Sequence, residues 1–324
     1  MDIVTFADGG IRILDQTRLP HETAYVTCRT VEEVAEAIRE MKVRGAPAIG
    51  VAAAYGMALS KDPEKAADVL KKARPTAADL SNAVDYVLAA MKAGKTALDA
   101  ADGWHRTIRK NTAAISRHGA SLIPDGARVL LHCNAGPLAT AGSGTSLGAV
   151  LEAAKTKSIS AYVDETRPRF QGALTSWELV QAGIAHRVIV DAAAGSFMRR
   201  GMVDLVMAGA DRIAHNGDFA NKIGTYPLAV VAKENCVPFY VLAPISTFDF
   251  SLGNGDGIVV EERNESEVLE ISGRRVYGQG TKALNPAFDV TPVRYVTAYV
   301  TEKGICKAEE LAGLWKNTQA SSSK

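Results

Sequence analysis

Five short apolar runs in the second part of the chain constrain its fold most. They lie at 129–131, 159–163, 188–190, 205–207 and 239–242, and all are rich in β-forming residues. Stretches of helical pattern separate most of them, at 146–155, 173–182 and 222–235, with a shorter one at 194–201. Strands alternating with crossover helices predict a parallel sheet. Open sheets of this kind bind ligands outside the carboxyl ends of their strands. Three of the runs lead directly into polar residues: His132-Cys133-Asn134, Asp164-Glu165-Thr166-Arg167-Pro168, and Gly209-Ala210-Asp211-Arg212. A thiol and several carboxylates are thus expected at one edge of one sheet.

The first part of the chain reads differently. Residues 1–28 carry a hairpin signal, with Asp8-Gly9-Gly10 between β-rich runs, and Ala24 to Cys28 suits a third strand. Residues 30–120 are mainly helical in pattern. Thr30 with Glu33 forms a capping signature, and Pro63 behind Asp62 opens another helix. Residues 76–92 and 95–117 predict two more. The expected fold class is α/β, an N-terminal mainly helical domain (1–122) followed by a Rossmann-like parallel-sheet domain (123–318). The turn at Pro124-Asp125-Gly126 marks the boundary, and the serine-rich end (319–324) is expected to be disordered.

Composition narrows the class. A formal net charge of +1 gives no bulk attraction to nucleic acid or to a membrane surface. No apolar run approaches the roughly 20 residues of a membrane helix. No basic region precedes an apolar stretch at the start of the chain, so a cytoplasmic location is expected. The four cysteines (Cys28, Cys133, Cys236, Cys306) are widely spaced, which suits free thiols and implies no zinc site. The six histidines are equally scattered, so no metal or other cofactor is expected.

Several residues are chemically suggestive on their own. Position leaves Cys133 open between a buried structural thiol and a reactive one near a helix start. Asp211 follows an apolar run, as a cap or as an acid. Asn221 and Lys222 are expected to open a helix, where they would meet an oxyanion or hydroxyls. Arg44-Gly45-Ala46-Pro47 and Arg74-Pro75-Thr76 are junctions suited to a phosphate. The Gly142-Ser143-Gly144-Thr145 loop is of a size to cradle one, although it lacks the Walker lysine and the dinucleotide spacing. Gln171 suits a sugar hydroxyl. Asp164, Glu165 and Asp191 suit the orienting of neighbours.

Taken in order, these segments resemble the methylthioribose-1-phosphate isomerases. The resemblance is carried by Arg44 to Gly50, Arg74 to Ala77, Cys133-Asn134 with Leu138 to Gly142, Glu165 to Pro168 with Gln171-Gly172-Ala173, Gly209 to Arg212, Asn216 to Asp218, Asn221 to Tyr226, and Asn285 to Pro292. It implies a homodimeric enzyme of methionine salvage that converts an aldose 1-phosphate to a ketose 1-phosphate. It makes Cys133 and Asp211 the catalytic pair. It puts Arg44, Gly45, Ala46, Arg74, Gln171, Asn221 and Lys222 on substrate-binding positions.

In the implied reaction Asp211, protonated in an apolar site, donates to the ring oxygen. Cys133 then moves a proton from C2 to C1, or shapes the site for a hydride shift. Related substrates compete for this reading: 5-deoxyribose 1-phosphate lacks only the thioether, and ribose 1,5-bisphosphate needs a second phosphate site. A reading from another class is a non-catalytic sugar-phosphate-binding protein, like the regulatory subunits of the translation initiation factor 2B complex.

Overall fold

The chain opens with three short antiparallel strands, β1 (Val4–Ala7), β2 (Gly10–Leu14) and β3 (Tyr25–Cys28), in that spatial order. These come from a computed structural model, which describes residues 2–74, 78–311 and 313. Five helices follow: α1 (Val31–Arg39), α2 (Ala46–Met57), α3 (Pro63–Ala73), α4 (Ala78–Lys92) and α5 (Ala97–Ser121). Thr30 caps α1: its hydroxyl accepts from the Glu33 N–H at 3.2 Å, and the Glu33 carboxylate accepts from the Thr30 N–H at 3.2 Å. Helix α2 is buried on every side from Ala48 to Met57, so it has no polar face to show. Gly50 and Gly56 let its neighbours close in: a Cβ would stand 2.9 Å from the Asp79 carbonyl at the first and 3.2 Å from Leu70 at the second. Pro75 and Thr76 of the second expected phosphate junction lie outside the described residues, as do Ala77 and the tail at 319–324.

The chain forms two compact units, Met1–Ser116 with Asn134–Gly148, and Arg117–Cys133 with Ala149–Lys324. Loop 134–148, which includes α6 (Pro137–Thr140), therefore clusters with the helices.

The second unit is built on the expected sheet. Its elements in chain order are β4 (Arg128–Leu131), the end of α7 (Ser146–Ala153), β5 (Ser160–Asp164), α8 (Gln171–Gln181), β6 (His186–Ile189), α9 (Ala194–Arg199) and β7 (Leu205–Ala208). Then come β8 (Arg212–Ala214), β9 (Phe219–Lys222), α10 (Thr225–Glu234), β10 (Phe239–Leu242), β11 (Phe248–Asp249) and a short helix α11 (Ser266–Leu269). A small hairpin, β12 (Glu270–Ile271) with β13 (Arg274–Arg275), precedes β14 (Phe288–Thr291), β15 (Ala298–Thr301) and β16 (Gly304–Cys306).

The main sheet has the order β16-β15-β10-β7-β4-β5-β6, parallel throughout except at edge strand β16. Its first strand in the chain, β4, lies inside the sheet, between β7 and β5. The chain runs outward through β5 and β6, then returns to β7 on the other flank of β4. This is the 3-2-1-4-5-6 order of a doubly wound fold. Val129, Leu130, Val206, Met207 and Val241 are fully buried, as central strands covered on both faces must be. A second sheet, β11-β8-β9-β14, grows from the end of β7. Among the described residues no helix is long and apolar enough to cross a membrane.

Candidate active site

The reversal in strand order falls between β4 and β7, so the two chains leaving their carboxyl ends diverge there. Cys133 follows β4 and Asp211 follows β7, on adjacent parallel strands. On the other flank of β4, β5 delivers Glu165, Thr166 and Arg167 to the same edge. The thiol and the carboxylate singled out in the sequence thus leave the sheet at its switch point.

Cys133 is half-buried and has φ +65°, a left-handed conformation that costs a residue with a Cβ of order 1–3 kcal/mol and persists only when surroundings enforce it. Those surroundings are visible. The Cys133 N–H donates to Thr166 Oγ1 at 2.9 Å, and Thr175 Oγ1 on α8 donates to the Cys133 carbonyl at 2.7 Å. Thr166 is itself left-handed, and Asp191 holds its loop by accepting from the Thr166 and Arg167 N–H groups, both at 2.8 Å. Asp191 therefore orients neighbours, as the sequence suggested. Two of the other thiols, Cys28 and Cys306, are buried. Burial pushes Cys28 upward, and it pushes Cys306 up to about 11.

Two expectations need correction. Asp211 is exposed instead of sitting in an apolar site, because Gly209 and Ala210 carry the chain past the buried end of β7. Its N–H donates to the Ala220 carbonyl at 2.9 Å as the chain turns into β8. Asn221 and Lys222 do not open a helix. They end β9, opposite Asp289 and Phe288 of β14, and α10 begins only at Thr225. Both side chains are buried: Asn221 Nδ2 donates to Thr225 Oγ1 at 2.9 Å, and Lys222 Nζ donates to the Ala287 carbonyl at 2.9 Å. Gln171 is the first residue of α8, where Gly172 presses onto the end of β5; a Cβ there would meet the Asp164 carbonyl at 2.1 Å. The buried Gln171 Oε1 has no hydrogen-bond partner among the described residues.

Arg44, Gly45, Ala46 and Arg74 belong to the helical unit. Arg44 is half-buried just before α2, its Nη2 donating to the Gln16 carbonyl at 2.9 Å, and Arg74 ends α3. Gly45 has φ +88°, and a Cβ there would stand 2.1 Å from the Ala139 carbonyl oxygen. Ala139 lies on α6, which the chain reaches shortly after Cys133-Asn134. Gly45→Ala should therefore cost about 3 kcal/mol of stability, combining the strained φ with a clash against backbone. Denaturant unfolding checks it; an unchanged midpoint would show that α6 yields freely.

The glycine loop is no phosphate cradle, because its donors are already used. The Gly142 and Gly144 N–H groups donate to Thr140 Oγ1, Ser143 N–H donates to Thr112 Oγ1, and Thr145 N–H donates to the Ala135 carbonyl. His132, Asp164 and Asp191 come close enough that one ligand atom from each lies within 4.8 Å of the others. Both ring nitrogens of His132 and both oxygens of Asp191 are hydrogen-bonded within the protein, whereas Asp164 Oδ1 is buried without a hydrogen-bond partner among the described residues.

Comparison with known proteins places this arrangement. Residues 42–308 match the Initiation factor 2 subunit family. A methylthioribose-1-phosphate isomerase of Pelotomaculum thermopropionicum is 47% identical, over 93% of this chain and 89% of the relative. The crystal structure of 5-methylthioribose 1-phosphate isomerase from Pyrococcus horikoshii superposes with a TM-score of 0.91 at 37% identity, covering 98% of this chain and 96% of the other. The chain belongs to the methylthioribose-1-phosphate isomerase family. The fold of that family reaches further: the translation initiation factor eIF-2B subunit delta from A. fulgidus matches at TM-score 0.87 and 40% identity, over 94% and 95% of the two chains. Membership in the isomerase family accordingly has to be joined to site chemistry before an activity follows.

Proposed function

We propose that this chain is an aldose–ketose isomerase converting 5-methylthioribose 1-phosphate to 5-methylthioribulose 1-phosphate in methionine salvage. The observation that carries the reading is the emergence of Cys133 and Asp211 from adjacent strands at the switch point of the sheet, in a chain 47% identical to named isomerases. The phosphate on C1 prevents spontaneous opening to a free aldehyde, so the enzyme must open the ring itself. Asp211 gives a proton to the ring oxygen as the bond from C1 to that oxygen breaks. The Cys133 thiolate takes the C2 proton, and the electron pair forms a C1=C2 enol. Cys133 returns its proton to C1, and the C2 hydroxyl proton goes back to Asp211 as the ketone forms. The conversion is redox-neutral and uses no cofactor.

Arg44 and Arg74 hold the phosphate. Gln171 offers a buried acceptor to a sugar hydroxyl, and Asn221 and Lys222 present donors from β9. Because Asp211 is exposed in the free chain, the protonated form depends on cover supplied by bound substrate. The enzyme acts as a homodimer in the cytoplasm.

The matched initiation-factor subunit favours a second reading, a sugar-phosphate-binding regulatory protein without turnover. Purified protein given 5-methylthioribose 1-phosphate, 5-deoxyribose 1-phosphate and ribose 1,5-bisphosphate separates the readings. The expected ranking by kcat/KM puts the first ahead of the second by about 10–200-fold, since an apolar group contributes about 1–3 kcal/mol of discrimination. Turnover of none would support the regulatory reading.

A further inference from the structure

His132 precedes Cys133, and its ring is almost wholly buried, with 1% of the side chain exposed. Its Nδ1 lies 2.9 Å from Asp164 Oδ2 at the end of β5, and its Nε2 lies 3.0 Å from the Ile223 carbonyl just beyond β9. A carbonyl only accepts, so Nε2 carries a proton. A second proton lies between Nδ1 and Oδ2. The ring also fills the space beside Gly224: a Cβ there would stand 2.9 Å from His132 Cε1, and Gly224 has φ +102°. One side chain thus ties the end of β4, which carries Cys133, to the end of β5 and to the segment carrying Asn221 and Lys222.

We infer that His132 is a positioning residue that holds the Cys133 thiol in register with the Asn221-Lys222 segment. Two features make it suited to this. The left-handed backbone at Cys133 has to be held from several sides, and the Thr166 and Thr175 hydroxyls fix only its N–H and carbonyl. The residue before Cys133 is His132 itself, fixed through both nitrogens of a rigid ring. The partner segment is anchored in turn, since the Gly224 and Tyr226 N–H groups donate to Asp289 at 2.8 and 3.1 Å. Burial opposes charge on the ring, yet the hydrogen bond to Asp164 and the carboxylates of Asp164 and Asp191 raise the His132 pKa above the ordinary histidine value. Burial in turn pushes the Asp164 carboxyl above its ordinary value, so the pair keeps a proton between Nδ1 and Oδ2.

The test uses His132→Phe, which fills the space without hydrogen bonds, and His132→Gln, which keeps an amide donor. The kinetic half rests on the isomerase reading; the labelling half does not. Cys133 alkylation by iodoacetamide is followed in substrate-free protein by peptide mass spectrometry, with buried Cys28 as internal reference. With His132→Phe, kcat should fall about 10²-fold and KM should rise, as expected for misplacement of about an ångström. The Cys133 alkylation rate should shift at least about tenfold, and His132→Gln should recover part of each loss. A lowered melting temperature with kcat, KM and Cys133 alkylation all within twofold of the parent would overturn the inference. If His132→Phe fails to fold, His132→Gln decides by the same readouts, an intermediate loss supporting and parental values overturning. If the parent turns over no sugar phosphate, the proposed function fails, and the alkylation comparison still decides the role of His132.

Discussion

Cys133→Ser should lower kcat by about 10²–10⁴-fold, with KM for the sugar phosphate moving less than about threefold. Serine preserves the shape of the side chain and the main-chain bonds to Thr166 and Thr175, so the strand end stays in place. What it loses is an easily formed anion: a thiol reaches its conjugate base near neutral pH and an alcohol does not. The defect therefore belongs to the proton transfer and not to binding. Steady-state kinetics and a thermal melt check this together. Turnover within threefold of the parent would remove Cys133 from the chemistry, and a collapsed melting temperature would show that the thiol serves the fold.

Asp211→Asn should be nearly as damaging, by about 10²–10³-fold in kcat, because the amide has no proton to give to the ring oxygen. Stability should move by less than about 1 kcal/mol, since Asp211 is exposed and asparagine keeps the shape of the side chain and the backbone bond to Ala220. The pH profile adds a sign. A general acid works while protonated, so in the parent kcat falls as pH rises through its titration in the substrate complex. The thiolate requirement acts in the opposite sense and lowers kcat as pH falls. The variant should lose the first limb and keep the second. Retention of both limbs at reduced height would mean that another group is the acid.

Much of the scaffold was legible in the sequence because its signals are local. The runs that became β4, β5, β7 and β10 are short, continuous and apolar, as central strands buried on both faces must be. Strand β6 begins earlier than its apolar run, at His186, because an edge strand tolerates polar residues. Strands β8, β9 and β14 left no usable signal: they are short, and Arg212, Asn221, Lys222 and Asp289 interrupt any alternation. Lys222 was consequently expected on a helix. Its burial comes from β14, distant in the chain. For the same reason nothing local marked His132, whose two partners, Asp164 and Ile223, lie far apart in sequence. Exposure of Asp211 was equally illegible, because the turn after β7 decides it. The ordered motifs also mix two kinds of residue. Asp218 and Asp289 accept backbone N–H groups and hold loops together, whereas Cys133 and Gln171 offer groups suited to a substrate.

The most direct measurement follows 5-methylthioribose 1-phosphate labelled with ¹³C at C2 by NMR, in the presence of the parent protein, Cys133→Ser and Asp211→Asn. The parent should convert the aldose signal to a ketone carbonyl signal, and neither variant should do so on the same timescale. An aldose signal that the parent leaves unchanged, or a ketone formed at the parental rate by either variant, would contradict the account.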